Sequence, residues 1–189
     1  LSPGSQVIAL PQWDPAAYPG YALASVSIEL QANVGATIAA ENDSAVDGDM
    51  GVSLTGVVSA ALPGSSTTAV LMQSFGPISA SASDGVSGSG PDYVNFGGIH
   101  STGYDNDTLL SGFGSYIGSG TFNATINGNG GFSVSGVSDS TIQVSDFSAW
   151  GVVVVNYDMV AVPEPASLVL GSFGIAAVGF VAWRRRRTG

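Results

Sequence analysis

The sequence predicts a mainly β protein, an antiparallel β-sandwich or jelly roll, followed by one C-terminal transmembrane α-helix. Three observations predict it. Short apolar–polar alternations recur through residues 1–160, broken by Gly and Pro, with no sustained run at helical spacing. Residues 166–183 are apolar and uncharged. Every cation of the chain then follows at once in Arg184, Arg185, Arg186 and Arg187.

The elements follow in order. From Ala24 to Val34 the even positions are apolar, so period two places Val26, Ile28, Leu30 and Val34 on one sheet face. Shorter strands are expected at Thr37–Glu41, Val52–Ala60, Thr68–Phe75 and Asn95–Ile99. Leu109 to Ile117 offers at most one weak helical turn, because Gly112, Gly114 and Gly118 oppose a helix. Thr121–Asn127 alternates with Phe122, Ala124 and Ile126 inward, and Phe132–Val137 resumes the pattern. Between them Asn127–Gly131 reads as a hairpin, since Asn and Gly accept positive φ. Thr141–Val144 and a final strand Trp150–Met159 complete the set. The four consecutive valines Val152–Val155 predict burial on both faces. Pro63-Gly64, Gly76-Pro77, Gly88–Pro91 and Gly97-Gly98 are the expected turns.

These signals divide the chain into an extracytoplasmic β domain (1–160), a Pro-Glu-Pro tether (161–166), a transmembrane helix (166–183) and a cytoplasmic Arg-rich tail (184–189). Eighteen helical residues rise roughly 27 Å, enough for a bilayer core. Trp183 sits where an amphipathic ring prefers the interface, and the arginines keep the tail cytoplasmic. The β domain is therefore expected outside the cytoplasm. A chain that begins with Leu1 in place of Met is the product of signal-peptide removal or a fragment.

Charge excludes more than it suggests. Of the fourteen acids all but Glu164 lie in residues 1–162, which hold no Lys or Arg. Such a body cannot neutralise phosphates, so nucleic acid is not an expected partner. It also cannot form an internal Lys or Arg ion pair, so burial and hydrogen bonds must hold it together. No cysteine is present, which removes disulfides, thiolate metal sites and Cys nucleophiles.

Candidate chemistry is sparse, and no catalytic residue or cofactor is expected. His100 is the only histidine; a hydrolytic triad would need Asp105 or Asp107 beside it, and no Gly-x-Ser-x-Gly elbow exists. One imidazole is too few for zinc. Glu29, Glu41 and Asp43 are the candidates for a carboxylate pair acting on glycans. Asp43, Asp47 and Asp49 form one acidic loop and Asp105 and Asp107 another. They are expected to be solvated turn residues that could hold Ca²⁺ weakly, although Ala45 breaks EF-hand spacing. No nucleotide-binding glycine motif appears. The three triplets beginning at Asn42, Asn106 and Asn123 are chance glycosylation sequons in a chain rich in Ser, Thr and Asn.

Val162-Pro163-Glu164-Pro165-Ala166, an apolar span and a terminal arginine cluster together resemble the PEP-CTERM sorting signal of Gram-negative bacteria, over residues 162–189. The resemblance implies that a membrane-embedded protease-transpeptidase, exosortase, recognises Pro163, Glu164 and Pro165. It implies that Ala166–Trp183 is a transient anchor and that Arg184–Arg187 hold topology. The precursor would sit in the inner membrane with its β domain periplasmic, and the mature form would reach the cell surface or beyond. A second resemblance covers residues 5–159. Val7-Ile-Ala-Leu-Pro-Gln-Trp-Asp-Pro15 followed by Tyr21–Leu30 is similar to the opening of the choice-of-anchor E domain, with Trp13 in place of the usual Phe and Tyr18–Tyr21 in place of Leu-Gly. Asn95–Gly98 and Gly118–Thr121 also fit it. It implies a β-rich surface domain without an established activity.

The expected function is therefore an exported, non-enzymatic surface or extracellular-matrix protein. The alternative is a carbohydrate-binding β-sandwich acting on exopolysaccharide, with Trp13, Tyr18, Tyr21 or Tyr104 as stacking rings. A secreted glycan hydrolase comes third.

Overall fold

The computed structural model describes residues 4–162. The expected tether, transmembrane helix and arginine tail, with Pro163, Glu164, Pro165, Trp183 and Arg184–Arg187, lie outside the described residues. Within them, no helix is long and apolar enough to cross a membrane.

Seven strands make up the described chain: β1 (Gly4–Pro11), β2 (Tyr21–Asn42), β3 (Gly48–Leu62), β4 (Ser65–Ala80), β5 (Tyr93–Leu109), β6 (Thr121–Ser135) and β7 (Ser140–Ala161). All strand pairings are antiparallel. One sheet has the order β1-β6-β3-β4 and the other β5-β2-β7. A single apolar core joins them, with Val26, Ile28, Leu30, Val34 and Ile38 from β2 facing Met50, Val52 and Leu54 from β3, Leu71 from β4 and Phe122 and Ala124 from β6. The period-two positions of β2 and β6 are thus the buried ones, because each strand has one wet and one dry face.

Sequence and structure differ in instructive places. Ala24–Val34 and Thr37–Glu41 are one strand; Gly35–Thr37 is an irregularity in the pairing of β2 with β7, not a break. Asn95–Ile99 is the start of a strand that runs on to Leu109. Thr141–Val144 and Trp150–Met159 likewise merge into β7, with Asp146 at φ 53 as a kink between them. The predicted hairpin at Asn127–Gly131 does not form. Those residues run straight through β6, pairing Gly128 with Val58 and Gly131 with Thr55. β6 is flanked by β1 and β3, and a central ladder outweighs a local turn preference. Pro63-Gly64, in contrast, is the two-residue turn joining β3 to β4, with Gly64 at φ 74. The weak helical signal near residue 113 resolves into one 3₁₀ turn, Phe113–Tyr116.

The double-sided burial expected of Val152–Val155 is also corrected. Only one face of the β5-β2-β7 sheet is covered by the core, so Val153 and Val155 pack partly against it while Val152 and Val154 are 45% and 41% exposed on the other face.

Two tyrosines fasten the ends of the sheets. Tyr116 is fully buried against Phe122, and its hydroxyl donates to Pro63 O at 2.8 Å. Tyr157 donates to Pro11 O at 2.7 Å. Burial, then the neighbouring Tyr157 and Asp107, push the Tyr116 phenol up to about 12, and burial raises Tyr157 as well. Both groups fold as neutral phenols with raised pKa values. The stability they contribute is complete below about pH 10, the unfolded value, and is lost as pH rises through the folded value. Chemical denaturation across pH 8–12 should show a flat plateau and then a fall beyond about pH 10. Tyr116→Phe should lower the plateau by about 0.5–1.5 kcal/mol and make the fall shallower.

Candidate functional site

The body has no Lys or Arg to pair with its acids. Their partners are neutral donors. Asp14, Asp47, Asp84, Asp92 and Asp105 accept from the backbone amides of Ala16, Ala82, Val86, Asp84 and Thr68. Asp43, Asp49 and Asp158 accept from the hydroxyls of Thr141, Ser79 and Ser25, and Asp146 from Thr37. Asp107 accepts from both the Ser65 hydroxyl and the Thr108 amide. Glu41, nearly inaccessible, accepts from Gly88 N at 2.9 Å, and Glu29 from the Asn156 amide at 3.2 Å. Hydrogen bonds to ionised acceptors are the strong kind. Nine of them clamp loops and strands distant in sequence, whereas Asp14, Asp84 and Asp92 accept within their own loops.

That arrangement reassigns most of the candidates. Asp105 and Asp107 hold β5 to the start of β4 at Thr68 and Ser65. His100 lies on the opposite face of β5, its ring so close over Gly35 that an added Cβ would collide with it. The structure does not bring the imidazole to either aspartate's face. Glu29 and Glu41 are twelve residues apart on one extended strand, roughly 40 Å, well beyond the spacing of a glycosidase pair. Asp43, Asp47 and Asp49 each serve a different partner, and among the described residues no three acid or His side chains converge on a metal position.

The aromatic candidates separate. Trp13 is not an exposed platform: it is 5% exposed, donates its indole N–H to Met159 Sδ and stacks at 6.3 Å on Tyr18. Tyr18, Tyr21 and Tyr104 are exposed. Sequence reasoning missed Trp150, 53% exposed on β7. β-pairing sets Tyr104, Gln31 and Val152 in one row across the sheet and Thr102, Asn33 and Trp150 in the next. Asn106, Glu29 and Val154 form the row on the other side. Cross-strand bonds order these side chains: Gln31 donates to the Tyr104 hydroxyl at 3.2 Å and Asn33 to Thr102 at 3.0 Å. The result is a shallow groove of about 370 Å³ along β2, with Glu29 and Gln31 as floor, Tyr104 and Asn106 on one wall and Val152 and Val154 on the other. Amides, a carboxylate and flanking rings suit a ligand with many hydroxyls and one apolar face. The signal for Trp150 was its even position in a strand whose odd residues face the core.

Beyond Ala161, where β7 ends, the sequence itself is diagnostic. Residues 161–187 carry a PEP-CTERM protein-sorting motif. The motif implies an exported, membrane-anchored precursor, sorted through exosortase to the cell surface. No curated protein matches the chain. Among solved structures, one from infectious bursal disease virus (Gx strain) aligns with 92% of this chain at 12% identity and a TM-score of 0.15. The chain spans about half the length of that viral chain, 48%, and so low a score carries no argument about fold.

Proposed function

We propose that the chain is a non-enzymatic surface or extracellular-matrix protein, whose β domain is carried outward by its C-terminal sorting signal. The observation that carries this reading is the PEP-CTERM motif starting at the last residue of β7. Pro163, Glu164 and Pro165 are the recognition element, Ala166–Trp183 the transient membrane anchor, and Arg184–Arg187 the charge that stays cytoplasmic. Charge segregation supports it: a body without Lys or Arg offers nothing to hold it on the cytoplasmic side. We read that body, 1–160, as a β-sandwich of the choice-of-anchor E type. In support, the similar opening residues fall on β1, the bridge at Trp13 with the turn that follows it, and the start of β2. Mass spectrometry of the protein recovered from the cell surface should find a C-terminus without Arg184–Arg187. Pro163→Ala with Pro165→Ala should leave the arginines attached and the protein in the inner membrane. Surface material with an intact tail contradicts the reading.

The groove on β5-β2-β7 favours a second reading, that the body binds exopolysaccharide. Its ligand would be a neutral glycan, because a groove floored by Glu29 in a body without cations repels uronates. Tyr104 and Trp150 would stack on sugar rings. Tyr104→Ala with Trp150→Ala should weaken retention on neutral polysaccharide at least tenfold while leaving the melting temperature unchanged. Equal retention by the double variant contradicts this second reading and leaves the first intact.

A further inference from the structure

We propose that Asp84 and Asp92 hold a divalent cation, Ca²⁺ in preference to Mg²⁺, in the loop between β4 and β5. Asp92 precedes β5 and is 0% exposed. Its main chain is fixed, its carbonyl accepting from Asn42 N at 2.9 Å. Oδ2 accepts from Asp84 N at 2.8 Å, whereas Oδ1 is buried without a partner. An orphaned carboxylate oxygen in the interior is costly unless something positive or protic meets it.

The Asp84 carboxylate stands opposite. Its Oδ1 accepts from Val86 N at 2.8 Å, and its Oδ2 lies on the side of Gly90. Gly90, at φ +105, lies beside the two acids, and the space its missing Cβ leaves open faces both of them. A Cβ added there would lie 2.3 Å from Asp84 Oδ2 and 2.8 Å from Asp92 Oδ1, so the two oxygens are at most about 5 Å apart. Two Ca²⁺–oxygen bonds of about 2.3–2.6 Å reach across such a gap through one ion. Ionised carboxylates this close repel each other unless a cation or a shared proton lies between them. The body supplies no Lys or Arg to serve.

No third acid or His converges among the described residues, so neutral loop oxygens and water complete the shell. A mixed, irregular shell suits Ca²⁺ better than Mg²⁺, which demands near-octahedral geometry. With two charged ligands the affinity falls in the weak range of extracellular modules, Kd about 10⁻⁴–10⁻³ M. Asp43 and Asp49, acidic-loop residues expected to be solvated and able to hold Ca²⁺ only weakly, accept from the Thr141 and Ser79 hydroxyls.

The test uses the full chain in detergent, titrated calorimetrically with CaCl₂ and, separately, MgCl₂ at fixed ionic strength, alongside thermal melts. Expected is one Ca²⁺ per chain, a melting temperature that rises with Ca²⁺, and Mg²⁺ at least tenfold weaker. Asp84 is solvent-facing, so Asp84→Asn should keep the fold and the Val86 contact yet weaken Ca²⁺ at least tenfold. Asp43→Asn should bind as the parent does. No saturable Ca²⁺ binding up to 10 mM overturns the proposal. So does an unchanged affinity in Asp84→Asn, or equal gains from Mg²⁺ in parent and variant, which would mean general screening. A melting temperature that rises on acidification and ignores Ca²⁺ assigns a shared proton to the pair and overturns it too.

Discussion

The structure depends on one constraint: residues 1–162 carry thirteen carboxylates and not one Lys or Arg. An acidic chain without cations must either expose its charge to water or give it neutral donors. This one does both, on loops and strand ends. Twelve of the thirteen carboxylates, all but Asp139, accept a hydrogen bond from an amide or a hydroxyl. Hydroxyls of Ser25, Thr37, Ser65, Ser79 and Thr141 and backbone amides are the donors. The same segregation leaves every Lys or Arg charge at Arg184–Arg187, inside the sorting motif.

The clamps explain how two sheets with modest apolar strands stay registered. Asp105 and Asp107 tie β5 to β4, Asp158 ties β7 to β2, and Asp43 ties the end of β2 to the start of β7. Buried Asn42 closes the same end of the molecule, donating to Val46 O and Ser81 O at 2.9 and 2.8 Å. With the strand ends fixed, the outer face of β5-β2-β7 can carry an ordered row of amides and rings instead of a packed surface. β7 is the unprotected element. It is a 22-residue edge strand without proline or cation.

What was legible in the sequence was what is local. The alternation of Val26, Ile28 and Leu30 marks a face because burial there has period two, and the Pro63-Gly64 turn is written in two residues. What was not legible depends on neighbours far along the chain. Asn127–Gly131 looks like a turn until β3 pairs with it, and Val152–Val155 looks like a buried strand until the sheet leaves its outer face uncovered. Trp13 looks exposed until Met159 meets its indole, 146 residues away in sequence. Asp84 and Asp92 match no spacing motif; only the fold around Gly90 sets them face to face. The C-terminal sorting signal, by contrast, is entirely local and was read from its three consecutive parts.

Charge within the β domain is repulsive and is held by neutral donors. Salt can then only relieve strain there, since it has no ion pair to weaken. The direct measurement is the melting temperature of the full chain at pH 7 in NaCl from 10 to 300 mM. A steady rise with salt is expected, levelling as the Debye length shrinks below about 10 Å. A melting temperature that falls as NaCl is added would show that attractive charge pairs hold the domain together, and would contradict it.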